Sequence, residues 1–259
     1  MAKKGLFDCT VVSNETLNHS YFMLRLQADG LPAMRPGQFV EVRIDHTPDA
    51  FLRRPISLHD VQAAEGIISL LIQRVGAGTQ HLATLKPGDT VNVLLPLGNG
   101  FSLPENGDRR PRVLVGGGVG IAPLLYLGRT LAGQGVPVSF LLGFRSQREM
   151  LDLSAFEAVG SVYITTEDGS VGEKGFVTNH SLLQNGQPGF IQTCGPTPMM
   201  KAVAAYASAH GIPCEVSLEN KMACGLGACL CCVTETQTGH KCVCSDGPVF
   251  NISELTWQI

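Results

Sequence analysis

The sequence has little charge, no long apolar run and no segment typical of a secretory signal. Charged residues make up 16% of the 259 residues, and the formal net charge is −3. This near-neutral balance gives no reason to expect nucleic acid or an anionic membrane as a partner. No apolar run approaches the roughly 18 residues of a membrane-spanning helix, and the N-terminus lacks the apolar stretch of roughly 7–15 residues of a signal peptide. We therefore expect a cytoplasmic protein.

Apolar residues and clustered cysteines are what the sequence does contain. It is 44% hydrophobic with 30 glycines, enough for two compact domains and a small appendage. Of the nine cysteines, six lie between Cys224 and Cys244. Disulfides would be spread along a small secreted domain, whereas clustered cysteines in an intracellular chain are typical of metal ligands. The isolated Cys9 and Cys214 are predicted to be plain buried residues.

The first three clustered cysteines have an informative spacing. Cys224, Cys229 and Cys232 form C-x4-C-x2-C, the plant-type pattern for a [2Fe–2S] cluster, which needs a fourth cysteine further on. A zinc site with four cysteine ligands commonly uses two C-x2-C pairs, and only one such pair is present. The spacing therefore favours iron–sulfur over zinc. Gly225 and Gly227 suit a loop whose backbone N–H groups approach the cluster sulfurs.

The fourth ligand is less constrained by the spacing. Cys231 would break the motif, so it is predicted to be a bystander. Cys242 and Cys244 lie two residues apart, and on a strand their side chains would face the same side. Position alone leaves both open.

Residues 1–103 are predicted to form an antiparallel β-barrel or sandwich. Short strand-like runs separated by turn residues such as Pro36-Gly37 support this fold. The predicted strands are Leu6–Val12, Tyr21–Leu26, Phe39–Ile44, Ile56–His59, Ile67–Arg74 and Thr90–Leu95. One short helix is predicted at Gln80–Leu85.

The pattern changes after a polar, proline-bounded linker at Pro104–Pro111. Residues 111–212 alternate apolar strand-like runs with helical spacing, which indicates a parallel sheet covered on both faces. The predicted strands are Arg112–Val115, Val136–Leu142, Ser161–Thr165 and Gly189–Thr193, and the predicted helices are Pro123–Ala132 and Thr197–His210. This segment is predicted to be a doubly wound α/β nucleotide-binding domain.

Residues 213–259 are predicted to form a small third unit that binds the cluster. Val233–Thr236 and His240–Val243 can pair as a hairpin around a glycine turn. Such a hairpin would return Cys244 to the neighbourhood of Cys232, which explains the long gap before the last cysteine.

The segment VGGGVGIAP (115–123) follows a predicted strand and opens a helix. Gly116, Gly118 and Gly120 would let backbone amides approach a pyrophosphate, whose negative charge the helix N-terminus favours. The segment departs from G-x-G-x-x-G because Pro123 stands where the third glycine would be. An ordinary tight turn is the competing interpretation, and the βαβ context favours the nucleotide site.

Three further features are informative mainly through their position. Arg54-Pro55-Ile56-Ser57 offers a guanidinium for a diphosphate and a hydroxyl for a flavin edge, although exposed arginines before strands are usually only solvated. Gly78-Thr79 at a helix start offers a second phosphate contact. Cys194 lies at the carboxyl end of a predicted strand, where open α/β sheets bind ligands. It would either touch a nicotinamide or be a buried turn cysteine.

In this order, the motifs are similar to those of the ferredoxin–NADP reductase superfamily: R-P-I-S in a β-barrel, G-x-G-x-x-P opening an α/β domain, and C-G-P before its last helix. The segments ENKMACGLGAC (219–229) and CSDGPVF (244–250) resemble the electron-transfer subunits of NAD-dependent, two-subunit dihydroorotate dehydrogenases. The resemblance covers essentially the whole chain. It implies an antiparallel FAD-binding β-barrel, a doubly wound α/β nucleotide domain and a small iron–sulfur unit. In that family the fourth ligand lies two residues before D-G-P-V-F, which implies Cys244.

The resemblance also implies binding residues. Those implied for FAD are Arg54, Pro55, Ile56, Ser57, Ile72, Gln73, Arg74, Gly78 and Thr79. Those implied for NAD are Gly116, Gly118 and Gly120, with Cys194 near the nicotinamide. The implied cluster ligands are Cys224, Cys229, Cys232 and Cys244.

A partner is implied as well, namely a separate FMN-containing catalytic subunit in a heterotetramer with two copies of each chain. Electrons from dihydroorotate oxidation would pass from that FMN through the cluster to FAD and reach NAD+ as hydride, in pyrimidine (UMP) biosynthesis. Flavin exchanges both one and two electrons, so it belongs between a cluster and a nicotinamide. No acid–base set for a bulky substrate is evident, and His59, His81 and His180 are predicted to be structural.

Two other functions stay open. The chain would suit an NAD(P)H-linked flavin/iron–sulfur subunit of a bifurcating transhydrogenase or a soluble hydrogenase, although some of these use a non-cysteine first ligand. It would also suit a zinc-stabilised binding module with vestigial flavin and nucleotide sites. The choice between NAD and NADP is open because Arg145 would meet a 2′-phosphate or simply be solvated.

Overall fold

The structure is a computed structural model that describes residues 3–45, 50–105, 107–186 and 188–257. Two seven-stranded sheets and a two-stranded hairpin make up the β structure of these residues. Within the same ranges, no helix is both long enough and apolar enough to cross a bilayer. One residue of the predicted linker, Asn106, lies outside the described residues.

The first sheet is antiparallel and forms the N-terminal domain. Its strands are β1 Gly5–Thr16, β2 Tyr21–Gln27, β3 Phe39–Val42, β4 Arg54–Ser57, β5 Asp60–Gln62, β6 Ile67–Gln73 and β7 Thr90–Leu97. Their order is β4-β3-β7-β1-β2-β6-β5, and β4 approaches β6, so the sheet curls into a half-barrel. In β2, every second residue from Phe22 to Leu26 is fully buried, namely Phe22, Leu24 and Leu26. This is the two-residue period of a strand that packs one face against a core. The predicted antiparallel barrel is confirmed in this form.

The short helix of this domain lies earlier than predicted. Helix α1 spans Ala77–Leu82 rather than Gln80–Leu85. The hydroxyl oxygen of Thr79 accepts the backbone N–H groups of Val75 and Gly76 at 3.0 and 3.2 Å, and these bonds fix the first turn. Strand β5 was not predicted because three residues are too few for a periodic pattern.

The second sheet forms the domain predicted to bind a nucleotide, here called the nucleotide domain. Its strands are β8 Arg112–Gly117, β9 Val138–Phe144, β10 Ser161–Thr166, β11 Glu173–Lys174, β12 Phe190–Cys194, β13 Cys214–Ser217 and β16 Val249–Asn251. Its helices are α2 Leu124–Gly133, α3 Ser154–Glu157, α4 Ser181–Asn185 and α5 Thr197–Ala209. The strand order β11-β10-β9-β8-β12-β13-β16 confirms the doubly wound prediction, because the chain adds strands on both sides of β8. Such sheets bind ligands where the strand order reverses, here between β8 and β12.

The C-terminal segment is less separate than its predicted boundary indicates. Cys214–Ser217 falls inside the predicted unit 213–259, but as β13 it pairs parallel with β12. Strand β16 pairs antiparallel with β13 at the edge of the same sheet. The predicted hairpin is present as β14 Val233–Thr236 and β15 Gly239–Cys242. The cysteine-containing segment is therefore anchored to the nucleotide sheet at both ends.

Polar contacts cross the seam between the two domains. Nδ1 of His59 in the barrel lies 2.8 Å from the carbonyl oxygen of Ala122, just before α2. Asp60 forms an ion pair with Arg129 of α2. The seam is thus held beside the glycine-rich loop.

Candidate electron-transfer site

A cleft of about 360 Å³, here called the barrel cleft, collects most of the residues predicted to bind FAD. Those that line it are Arg54, Pro55, Ile56, Ser57, Ile72, Gln73 and Thr79. The C-terminal segment also contributes to its walls, with Ser217, Leu218, Glu219, Asn220, Met222 and Pro248. The sequence patterns did not indicate this wall, because it depends on folding the last segment back against the barrel.

Arg54 and Gly78 fit together beside the barrel cleft. A Cβ atom at Gly78 would lie 2.8 Å from Nε of Arg54, so a side chain there would displace the guanidinium. Nη1 of Arg54 donates to the backbone oxygen of Leu52 at 2.6 Å. A guanidinium can donate two parallel N–H groups to a phosphate, so this placement suits a diphosphate.

Arg74 and Gly78 do not line the barrel cleft, in contrast to the other predicted FAD residues. The Arg74 guanidinium donates to the backbone oxygen of Asn18 at 2.9 Å and to the hydroxyl of Thr16 at 2.8 Å. Arg74 therefore stabilises the turn between β1 and β2. Gly78 acts through the room that it leaves for Arg54.

A second cleft of about 630 Å³, here called the sheet cleft, lies at the carboxyl ends of β8, β9 and β10. Gly118 and Gly120 line it, as predicted, whereas Gly116 does not. A Cβ atom at Gly116 would lie 2.8 Å from side-chain carbons of Ile121 and Leu124. Gly116 therefore permits close packing behind the loop.

The glycine-rich loop packs directly on the loop that follows β12. A Cβ atom at Gly120 would lie 2.4 Å from both the Cys194 oxygen and the Gly195 Cα. Gly195 has a φ of +154°. Both loops therefore need glycine, because each backbone occupies the space of the other's missing side chain.

Cys194 and Glu219 form a hydrogen-bonded pair next to both clefts. Cys194 is fully buried and does not line either cleft, and its thiol donates to Oε1 of Glu219 at 3.6 Å. Glu219 lines both clefts and is exposed through them. Burial raises the pKa of Cys194 well above its usual range, and the neighbouring carboxylate of Glu219 adds to this effect. Desolvation by the surrounding protein also raises the pKa of Glu219.

This pair changes the role expected of Cys194. It is a neutral thiol donor, and Glu219 is the member that faces the clefts. Sequence reasoning missed Glu219 because an isolated glutamate after a strand usually indicates a solvated side chain.

The clustered cysteines lie in two pairs. The backbone N–H of Cys244 donates to Sγ of Cys232 at 3.4 Å, and Cys229 lies close enough to Cys224 to contribute to the lowering of its pKa. In the part of the chain that the structure describes, no three His, Cys, Asp or Glu side chains converge where they could hold a single metal ion. A [2Fe–2S] centre with four cysteine ligands takes two thiolates on each iron. The two pairs are compatible with that arrangement.

Backbone N–H groups point at these sulfurs. Leu226 donates to Sγ of Cys224 at 3.3 Å, and Gly227 donates to Sγ of Cys244 at 3.1 Å. The hydrogen bond from Leu226 is the main reason that the pKa of Cys224 is lowered to about 6. Burial, together with Cys232, raises the pKa of Cys244 to about 12, so metal binding would have to displace a proton there.

Cys242 differs from Cys244 in its hydrogen bonds. Cys242 donates its thiol to the carbonyl oxygen of Gly227 at 3.9 Å, while the N–H of the same glycine donates to Cys244. Cys231 is exposed. Sγ of Cys244 thus accepts a backbone N–H, as cluster sulfurs do, whereas the Cys242 thiol is directed at a carbonyl oxygen. This geometry supports Cys244 over Cys242 as the fourth ligand.

A buried carboxyl group lies against the cysteine loop. Glu41 of β3 is fully buried, and within the described ranges neither of its oxygens has a hydrogen-bond partner. A Cβ atom at Gly225 would lie 2.8 Å from Cγ of Glu41. Burial raises the pKa of Glu41 to about 7, against the opposing effect of Arg53. Sequence reasoning missed Glu41 because a polar residue within an apolar strand normally indicates the solvent face.

The residues predicted to be structural include two buried histidines. His59 is bonded to Ala122, and Nδ1 of His180 accepts the N–H of Leu182 at 2.9 Å, which caps α4. Cys9 and Cys214 are buried. These four predictions are confirmed, and the role of His81, which is half-buried on α1, stays a prediction.

Two segments of the chain match known domain families. Residues 8–101 match the oxidoreductase FAD-binding domain. Residues 219–256 match the iron-sulfur cluster binding domain of dihydroorotate dehydrogenase B. These segments supply the barrel cleft and the cysteine loop.

Whole-chain comparisons agree with these matches. The chain is 39% identical over 252 residues to the dihydroorotate dehydrogenase B (NAD(+)), electron transfer subunit of Shouchella clausii, covering 95% of this chain and 96% of that protein. Identity to the subunit of the same name from Fusobacterium nucleatum is 35% over 255 residues, covering 96% and 97%. The fold is similar to a chain from the structure of an NADH-dependent reduced ferredoxin-NADP oxidoreductase, with a TM-score of 0.86, 31% identity and coverage of 96% and 90%. The chain therefore belongs to the family of dihydroorotate dehydrogenase B (NAD(+)) electron transfer subunits.

Proposed function

We propose that this chain receives electrons from dihydroorotate oxidation in a separate FMN-containing catalytic subunit and passes them through a [2Fe–2S] cluster and FAD to NAD+, in pyrimidine biosynthesis. The observation that supports this most directly is the shared wall at Glu219, which belongs to both clefts. Ligands in the two clefts would be neighbours. The barrel cleft also borders the segment that carries the cysteines.

FAD suits the middle position because a flavin exchanges electrons singly with an iron–sulfur cluster and in pairs with a nicotinamide. In the barrel cleft, Arg54 would bind its diphosphate and Ser57 would offer a hydroxyl to the ring edge. Phe39 and Pro248 line the same cleft and would keep water from the ring.

The cluster is assigned to Cys224, Cys229, Cys232 and Cys244. The backbone N–H groups that donate to Sγ of Cys224, Cys232 and Cys244 support this assignment. Hydrogen bonds to cluster sulfurs are one of the means by which a protein sets the reduction potential. Leu226 and Gly227 would therefore act on the potential through their backbone.

NAD+ is assigned to the sheet cleft. The backbone of Gly118 and Gly120 would approach its pyrophosphate at the start of the helical segment. Glu219 would accept hydrogen bonds from the nicotinamide carboxamide, a group with two N–H donors. Cys194 would hold Glu219 in place through the 3.6 Å hydrogen bond.

The cysteine loop also presents apolar side chains to solvent. Leu226 and Leu230 are 49% and 63% exposed. Exposed leucines on a metal-binding loop support contact with a partner protein at this point. We expect the catalytic subunit to cover these leucines. The expected assembly contains two copies of each chain, and light scattering would measure its mass.

A second function has one observation in its favour. The structural likeness to the NADH-dependent reduced ferredoxin-NADP oxidoreductase, at 31% identity, points to an electron-bifurcating subunit. The dihydroorotate dehydrogenase B relatives are 35–39% identical over nearly the whole chain, which favours the first function. The two differ in their electron donor.

The electron donor is therefore the decisive test. The chain is co-expressed anaerobically with a candidate FMN-containing subunit, and the purified complex is analysed for flavins, iron and sulfide. We expect FMN, FAD and a [2Fe–2S] cluster together with dihydroorotate-dependent reduction of NAD+. Activity with reduced ferredoxin but not with dihydroorotate would favour the second function. A colourless protein that carries zinc and no flavin would contradict both.

The ligand assignment has its own test in a matched pair of variants. Cys244→Ser is expected to abolish the visible cluster spectrum while FAD and NADH oxidation by artificial acceptors persist. Cys242→Ser makes the same replacement of sulfur by oxygen at the nearby Cys242 and is expected to retain the cluster. The reverse result would show that the fourth ligand is Cys242.

A further inference from the structure

Tyr21 belongs to the barrel but lies in the sheet cleft. It begins β2, and its side chain lines that cleft together with the glycine-rich loop. Tyr21 is 3% exposed, and it shares a core with Ile121 and Leu125 of the nucleotide domain. Its hydroxyl oxygen lies 3.6 Å from the position that a Cβ atom would take at Gly118. The barrel therefore contributes a side chain to the cleft of the other domain.

The position of Tyr21 is fixed by its own turn. Oδ1 of Asn18 accepts the backbone N–H of Tyr21 at 2.9 Å, and Nδ2 of Asn18 donates to the oxygen of Met150 in the nucleotide domain at 3.1 Å. Arg74 donates to the backbone oxygens of Asn18 and Tyr21 at 2.9 and 3.5 Å. One asparagine thus connects the turn to the nucleotide domain, and Arg74 stabilises it from the barrel side.

The Tyr21 hydroxyl faces the sheet cleft, and among the residues that the structure describes only the backbone of Tyr21 takes part in hydrogen bonds. Burial and the Glu149 carboxylate raise the pKa of Tyr21, and Arg145 opposes them. The group is therefore a protonated O–H donor at neutral pH. An unused donor next to a loop that leaves its backbone open to a pyrophosphate is suited to a phosphate oxygen.

We propose that the Tyr21 hydroxyl donates a hydrogen bond to the diphosphate of the dinucleotide in the sheet cleft. The inference rests on the proposed NAD+ site and adds that the flavin-binding domain itself supplies a dinucleotide-binding group. The recognised chemistry is a nucleoside diphosphate. ADP and NAD+ contain that group, and adenosine does not.

The test compares ligands that share or lack the diphosphate. The FAD- and cluster-containing protein and its Tyr21→Phe variant are titrated calorimetrically with NAD+, ADP and adenosine. The variant is expected to bind NAD+ and ADP about tenfold more weakly, the loss that follows from one hydrogen bond to a charged group. Adenosine affinity is expected to change by less than about twofold. FAD content and the cluster spectrum are expected to stay the same.

Tyr126→Phe is the matched control. The Tyr126 hydroxyl donates to the oxygen of Met34 at 2.9 Å across the same domain seam, but Tyr126 does not line the sheet cleft. If this variant loses the same affinity, the effect comes from a loosened seam and the proposal is overturned. An unchanged NAD+ affinity in Tyr21→Phe, or a loss of FAD instead, also overturns it. Failure of the unaltered protein to bind either NAD+ or ADP would instead remove the nucleotide site on which the proposal rests.

Discussion

Acid is expected to weaken the domain seam through His59. This histidine is 6% exposed, and its Nδ1 lies 2.8 Å from the Ala122 oxygen, a group that can only accept. Nδ1 therefore carries the proton of a neutral ring. Burial lowers the pKa of His59 to about 4, and the opposing effects of the Ala122 hydrogen bond and of Asp60 are smaller.

The direction of the pH dependence follows from the two states of the chain. An unfolded histidine has a pKa of about 6.5, so below that pH the unfolded chain takes up a proton that the folded protein excludes. The free energy of unfolding is therefore at its full value above pH 6.5 and falls as the pH decreases towards about 4. The whole difference corresponds to about 3 kcal/mol, and the part lost by pH 5 is about 2 kcal/mol.

Urea unfolding of the wild type and of His59→Gln at pH 7.5 and pH 5 measures this effect. Glutamine can still donate to Ala122 but does not titrate, and the carboxylates titrate alike in both proteins. Between pH 7.5 and pH 5, the free energy of unfolding of the wild type is expected to fall by about 2 kcal/mol more than that of the variant. His240→Gln, at an exposed position, should follow the wild type. Equal losses in wild type and His59→Gln would refute the reasoning.

Three further changes test packing and the sites. Gly128→Ala places a Cβ atom 2.3 Å from Cζ of Phe140. We therefore expect the free energy of unfolding, measured with denaturant, to fall by about 1–3 kcal/mol. A double variant that also carries Phe140→Leu is expected to recover part of this loss. Gly225→Ala strains a backbone with a φ of +66° and crowds Glu41, so iron per FAD is expected to fall while FAD content is retained; an unchanged ratio would contradict this. Arg54→Lys replaces a guanidinium, which donates two parallel N–H groups, by a single ammonium charge. FAD affinity, measured by flavin fluorescence, is therefore expected to fall about tenfold. Full retention of FAD would show that the guanidinium does not bind the diphosphate.

The features that the sequence predicted correctly are those with a local signal. The alternation of buried residues in β2 and the alternating strands and helices after residue 111 are periodic patterns, and they predicted both sheets. The spacing C-x4-C-x2-C likewise lies within nine residues of chain, Cys224 to Cys232. The spacing alone left Cys242 and Cys244 open; the resemblance implied Cys244, and the hydrogen bonds at Gly227 support that choice.

The features that the sequence did not predict depend on contacts between distant segments. Glu219 and Tyr21 become part of the sheet cleft only because the C-terminal segment and the barrel both pack on the nucleotide domain. Arg74 is a further example: the resemblance implied it for FAD, and in the fold its guanidinium also donates to backbone oxygens of the turn between β1 and β2. A motif identifies the type of side chain at a position, and the fold decides which partner that side chain reaches.

Three glycines at the sites are required for the same reason, and that reason is not only the approach of a ligand: each leaves room for a neighbouring segment of the chain. At Gly78 the missing side chain leaves room for Arg54, at Gly120 for the backbone of Cys194, and at Gly225 for a carboxyl side chain of β3. In each case the neighbour comes from another segment of the chain. A Cβ atom at any of these positions would separate two segments whose approach shapes a cleft or the cysteine loop. Because both clefts share Glu219 and the barrel cleft borders the cysteine segment, such a separation would disturb the geometry between cofactors as well as the binding of each one.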